Sequence, residues 1–395
     1  MEFKTPVNAG YAEESLCFPP FIPLGGYGTR TQLSKGTLES LFIRTLVIEN
    51  IAMVSGDLHG IEKDFVEGIK KEARDKAGIE EILFSPSHTH SGPACLNRSY
   101  NLTPIPECVL DEIRTKTINS IINAKKCQMK TSILWRTFPI KNKAVHRRTD
   151  EVINLQGVYV LFPHIQTAMG IIPIRPVVLP PSNLMLSGDY PYYLVKAMKE
   201  KGINFLFFYG AGGDINPITR GDIEACRKFA HDLMREIFSS KTRYSCVSRV
   251  KFKKSSIFLK FRKIQLQSPE IYRKRLKEAQ EKKDYSEIFL YREKLWLYEI
   301  YRKGGIHTDI WFLFMDDLVL IFLPLDTFYE IEKRLNACCF KKLCIVGITN
   351  GHQGYIEDSS MTVKSTKSPM SWSLLSPEAG DRLISHVLEV LNHET

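Results

Sequence analysis

Short apolar runs alternate along this chain with amphipathic stretches of helical length, and the runs end in polar residues and glycine. LFIRTLVIE, IAMVSGDL, EILFSPS, VYVLF and INFLFFYG read as strands, and WFLFMDDLVLIFLPL reads as a hairpin turning at Asp316 and Asp317. Between them, Ile61, Phe65, Ile69 and Ala73 stand four apart on one helical face. CVLDEIRTKTINSIINA, DIEACRKFAHDLMREIFSS and SPEAGDRLISHVLEVLN, opened by Ser376 and Pro377, are further helices. Such alternation predicts an α/β fold, and without a linker or repeat to divide it, a single domain over 1–395.

Several function classes fall away early. The absence of any long apolar run excludes a membrane-spanning helix, and the N-terminus lacks the pattern of a secretory signal. Nine scattered cysteines without a CxxC pair fit free thiols in a reducing cytoplasm. The net charge of +10 suggests nucleic acid until it is located. Residues 249 to 283 carry the whole excess, and the remainder balances. That segment opens a basic region over 249–303, read as a strand pair joined by a Lys-Lys-Ser-Ser turn and followed by one or two helices. A solvated face is the plain reading; peripheral contact with an anionic membrane surface is the alternative, and nucleic acid is an unlikely partner.

The chemistry-bearing groups sit where strands end, as loops on a rigid scaffold allow. SPSHTHSGP follows the strand EILF, and extended chain would place His88 and His90 on one side. FFYGAGGDINP runs a buried strand into small residues, then Asp214 and Asn216. FLPLD places Asp326 at another strand end, and ITNGHQGYIE opens into His352 and Tyr355. Four such ends argue for one site.

These segments, in order with PLGGYGTR, VSGDLHGI, HRRTDE, RPVVLPPSNLMLSGDYPYYL and LLSPEAGDRL, resemble the catalytic domain of the neutral, non-lysosomal ceramidases and their short relatives. The resemblance implies amide hydrolysis with one zinc ion in an α/β domain of mixed β-sheets layered with helices, here without the C-terminal immunoglobulin-like domain. It maps the first zinc-binding His to His88 and the carboxylate ligand to Asp326. The fourth ligand falls on either His352 or Tyr355. The family's second His falls on Arg175, which cannot bind a metal. The family's serine falls on Asn216.

The resemblance therefore points to a small acylated substrate other than ceramide. It implies catalytic roles for His90, Asp214, Asn216 and Arg148, with His90 orienting substrate and Asn216 serving an oxyanion. Gly26, Tyr27, Arg175 and Tyr355 would touch substrate. The alternative is a metal-free member that binds or processes an anionic substrate, its carboxylate or phosphate held by Arg175 together with Arg147 or Arg148.

Overall fold

The computed structural model describes residues 1–28, 30, 32–94, 105–263, 265–360 and 373–394. Three large sheets organise it. The first runs in the order Glu81–Pro86, Ile51–Gly56, Leu41–Ile48, Val7–Leu16 and Met129–Thr131. The second runs Asn204–Tyr209, Thr167–Ile172, Val152–Phe162, Ile133–His146 and Ile215–Pro217, with Ser245–Val247 also on Ile133–His146. The third runs Glu2–Lys4, Arg249–Lys260, Gly305–Met315, Leu318–Phe322 and Lys342–Val346.

Each sheet turns one face to a shared core. Leu46, Met53 and Leu83 from the first meet Val160, Met169 and Leu206 from the second and Trp311, Leu320 and Val346 from the third. The other faces are covered by helices. Lys63–Ala77 and Glu107–Lys126 cover the first sheet, Asp189–Lys199 and Ile223–Ser239 the second, and Tyr329–Ala337 and Glu378–Asn392 the third. Strands buried on both faces read as continuous apolar runs, which is how FLFFY and LVLIF appear in sequence.

Each sheet also holds one parallel pair: Ile51–Gly56 with Glu81–Pro86, Thr167–Ile172 with Asn204–Tyr209, and Leu318–Phe322 with Lys342–Val346. Their C-terminal ends are tied together. The Ser55 hydroxyl donates to the Phe207 carbonyl at 2.6 Å, and the Ser85 and Thr349 hydroxyls meet at 2.7 Å. Gly347 N–H donates to Tyr209 O at 2.9 Å. The Asn350 side chain accepts from Phe84 N–H at 2.7 Å and donates to Ile82 O at 2.6 Å. All six loops that follow these ends therefore leave from one place.

The expected elements are present, with two differences. The strand pair expected in the basic segment is a single strand, Arg249–Lys260, paired without interruption to Gly305–Met315. Val250 and Phe252 face the shared core, whereas Ile257 and Leu259 face the helix-covered side. The phase of burial changes at Lys-Lys-Ser-Ser because the strand passes from one core to the other, and a phase change mimics a turn. Its lysines are largely paired, Lys251 and Lys253 with Glu394 and Lys254 with Asp309. The helical part is two helices, Pro269–Glu281 and Tyr285–Tyr301. The second difference is at His88, which is not extended but lies at φ 66.

Among the described residues no helix is long and apolar enough to cross a membrane, and the described cysteines are free thiols.

Asn350 sits at φ 55, a conformation asparagine tolerates better than most residues. Asn350→Ala leaves the Phe84 N–H and Ile82 C=O unpaired, so unfolding in urea should show a loss of about 2–4 kcal/mol. A loss below about 0.5 kcal/mol would mean that the tie between the first and third sheets carries little.

Candidate metal centre

The loop after Ile51–Gly56 is held by a buried ion pair. Arg44 donates to both oxygens of Asp57 at 3.0 Å, and Phe42 N–H adds a third bond at 2.9 Å. Two residues on, the His59 carbonyl accepts from His88 Nδ1 at 2.8 Å. A carbonyl can only accept, so His88 carries a proton on Nδ1, and in the neutral ring the Nε2 lone pair faces inward.

That lone pair faces Asp326. His88 Nε2 and Asp326 Oδ2 stand 3.4 Å apart, both buried and neither with a hydrogen-bond partner. The other oxygen, Oδ1, accepts from the Tyr209 hydroxyl at 2.8 Å. Burial opposes ionisation of Asp326, but His88, Arg175 and His352 hold its carboxyl below the usual carboxylate range. When the His88 ring is neutral both atoms are acceptors, and a cation between them would satisfy both; a proton on Nε2 would instead make them an ion pair. Two ligand bonds of about 2.0–2.1 Å at a tetrahedral angle end roughly 3.3–3.4 Å apart, which is the spacing found.

His352 completes a trio with these two, their ligand atoms lying within 4.8 Å of one another. Burial, His88 and Arg175 push His352 down to about 4 despite Asp326, so it is a neutral ring at physiological pH. The nitrogen–nitrogen–carboxylate set suits zinc. The residues present therefore fit the ion that the sequence resemblance implies.

His90 lies beside this trio but is committed elsewhere. Its Nδ1 donates to the His88 carbonyl at 3.1 Å, and its Nε2 accepts from Arg175 at 2.9 Å. Burial and the charge of Arg175 push its pKa well below the ordinary value. Gly26 makes room for the ring: at φ +90, a Cβ there would lie 2.3 Å from two of its carbons. Tyr27 meets the same ring edge-on at 4.9 Å and donates its hydroxyl to Leu179 O at 2.7 Å.

Arg175 points into the site and is buried. Besides His90 it donates to the Tyr355 hydroxyl at 2.8 Å, and Arg147 donates to the same oxygen at 3.1 Å. Asp189, on a helix that covers the second sheet, accepts from the backbone N–H groups of Val178, Leu179 and Tyr190. Arg148 turns away from Tyr355 and pairs with buried Glu357 at 2.6 Å. Asp214 braces its loop, accepting from Tyr329 N–H at 2.9 Å and meeting His146 at 3.1 Å. Asn216 is half-buried on the short strand Ile215–Pro217, opposite Val145.

One residue the sequence did not single out belongs here. His59 stacks on His88 at 4.6 Å and forms a second, overlapping trio with His88 and His90. Its signal was a lone histidine in VSGDLHGI, two residues past Asp57, which reads as an ordinary turn.

No family model and no curated protein matches the sequence. Among solved structures, neutral ceramidase from Pseudomonas aeruginosa aligns with a TM-score of 0.75 at 14% identity, covering 97% of this chain and 74% of that one. The fold matches that of neutral ceramidase. A ceramidase complexed with C2 aligns with a TM-score of 0.73 at 13% identity, covering 96% of this chain and 74% of its own.

Gly26→Ala should displace the His90 ring and strain the backbone, at about 1–3 kcal/mol. A structure of the variant with His90 unmoved, or an unchanged thermal midpoint, would contradict the account of that glycine.

Proposed function

We propose that this chain is a metal-dependent hydrolase that cleaves the amide bond of a small acylated substrate. The observation that carries this reading is the convergence of His88 Nε2 and Asp326 Oδ2, buried 3.4 Å apart without a hydrogen bond, with His352 in one three-residue cluster. The ceramidase fold supports the reaction class. His88, Asp326 and His352 would hold one zinc ion, whose bound form supplies an acidified water and polarises a carbonyl.

The chain's own groups then have distinct tasks. The His59 carbonyl fixes the His88 tautomer, and the Tyr209 hydroxyl orients Asp326 so that one oxygen stays available. Tyr355, held by two arginines, is reserved for substrate rather than metal, because its oxygen already accepts from both. Asn216 and the loop that Asp214 braces supply donors for a developing oxyanion. His90, fixed between Arg175 and the His88 carbonyl, orients substrate through its position rather than through a free nitrogen. Ceramide is disfavoured, since Arg175 sets a buried cation where a lipid amide offers no counter-charge.

Purified protein supplied with zinc should carry about one equivalent, and His88→Ala or Asp326→Ala should weaken binding at least 100-fold. Hydrolysis of N-acyl substrates should stop on chelation and return with zinc. Metal content near zero in the zinc-supplied wild-type protein would overturn the proposal.

A further inference from the structure

His59 serves the metal centre through its carbonyl, which orients His88. Its ring is uncommitted: among the described residues neither ring nitrogen has a hydrogen-bond partner. The ring is nevertheless held in place. A Cβ on Gly25 would lie 2.4 Å from His59 Cβ and 2.5 Å from Cγ, so the glycine leaves space that a side chain would take. The His88 ring lies 4.6 Å away at 27°, and the His90 ring meets it edge-on at 5.1 Å. A side chain fixed by packing, with its polar atoms left free beside a site, is preorganised for a ligand.

Its place matches the open side of the trio. His88 and Asp326 are buried, whereas His352 and His59 are partly exposed, with their ring centroids 6.1 Å apart. A molecule arriving from solvent therefore reaches the trio on the side where these two rings stand. A ligand-capable nitrogen of His59 lies within 4.8 Å of its counterparts on His88 and His90, a grouping separate from the one that holds Asp326 and His352. That spacing suits a group one hydrogen bond out from the ion. A nitrogen bonded at about 2.8 Å to a fourth, oxygen ligand can stand roughly 4–5 Å from the neighbouring ligand atom. His90 cannot take this task, because its Nε2 accepts from Arg175 and its Nδ1 donates to the His88 carbonyl.

We propose that His59 is a catalytic residue whose ring hydrogen-bonds the oxygen on the open side of the trio, water before the reaction and the acyl oxygen during it. This rests on the metal-dependent hydrolase reading, since the ion places that oxygen. A neutral imidazole carries one N–H donor and one acceptor, so the same ring can serve an oxygen that donates as water and accepts as an acyl oxygen.

The test is calorimetric binding of acetohydroxamate, whose paired oxygens bind zinc, to zinc-supplied protein. His59→Phe keeps a ring against His88 but removes both nitrogens; it should bind the probe at least tenfold more weakly while zinc content stays near one equivalent. His59→Gln, which returns a hydrogen-bonding group, should recover most of that loss. For N-acyl substrates, kcat should fall in the His59→Phe protein in proportion to kcat/KM. Unchanged hydroxamate affinity in zinc-loaded His59→Phe protein would overturn the proposal, because the ring would then serve only packing. Loss of the zinc itself would also overturn it, by making His59 a ligand. A crystal structure of the wild-type protein with acetohydroxamate needs no variant: a probe oxygen should lie about 2.6–3.2 Å from a His59 ring nitrogen. Separation beyond about 4 Å would contradict the proposal. Wild-type protein that carries no zinc would reject the hydrolase reading itself, and the role of His59 with it.

Discussion

The site depends on a handful of hydrogen bonds that join three sheets at the C-terminal ends of their parallel strand pairs. Ser55, Ser85, Thr349 and Asn350 each reach from one sheet to another, and Gly347 adds a backbone link. Parallel strands place the loops that follow them side by side, and joining three such pairs places six loops around one point. His59, His88, Arg175, Asp214, Asp326 and His352 all come from those loops. Strain accumulates at the same place, with His88 at φ 66, Ile348 at φ 47 and Asn350 at φ 55. Such conformations persist only where surrounding contacts over-determine them, and the cross-sheet bonds provide that restraint.

The electrostatics follow from burial. Histidines packed this closely cannot all be protonated, and His59, His90 and His352 are each pushed toward the neutral form. Neutral rings are what a metal needs, and the one buried carboxylate among them stays ionised. Arg175 divides the cluster. It takes His90 and Tyr355 for itself, so the groups remaining for a cation are His88, Asp326 and His352.

Much of this was legible in the sequence, for a physical reason. A strand buried on both faces must be apolar until it ends, so the first polar residues after it mark the loops. That reasoning brought His88, His90, Asp326, His352 and Tyr355 together despite their separation. Two kinds of fact were not legible. Which of two adjacent arginines enters the site is set by the turn after His146, where Asp150 N–H donates to His146 O at 2.9 Å and Asp150 adopts φ 59. That turn sends Arg147 to Tyr355 and Arg148 to Glu357, and no side-chain pattern announces it. The sharing of one core by three sheets was equally hidden, because periodicity shows which face is apolar but not what it meets. The phase change in Arg249–Lys260 is the clearest case.

The central claim is that the three sheets deliver His88, Asp326 and His352 to a single cation. Anomalous diffraction from zinc-soaked crystals, collected on both sides of the zinc absorption edge, tests it directly. The account predicts one strong difference peak about 2.0–2.2 Å from His88 Nε2, Asp326 Oδ2 and a ring nitrogen of His352. A map without a peak there, or with its only strong peak on surface groups away from these three residues, would contradict it.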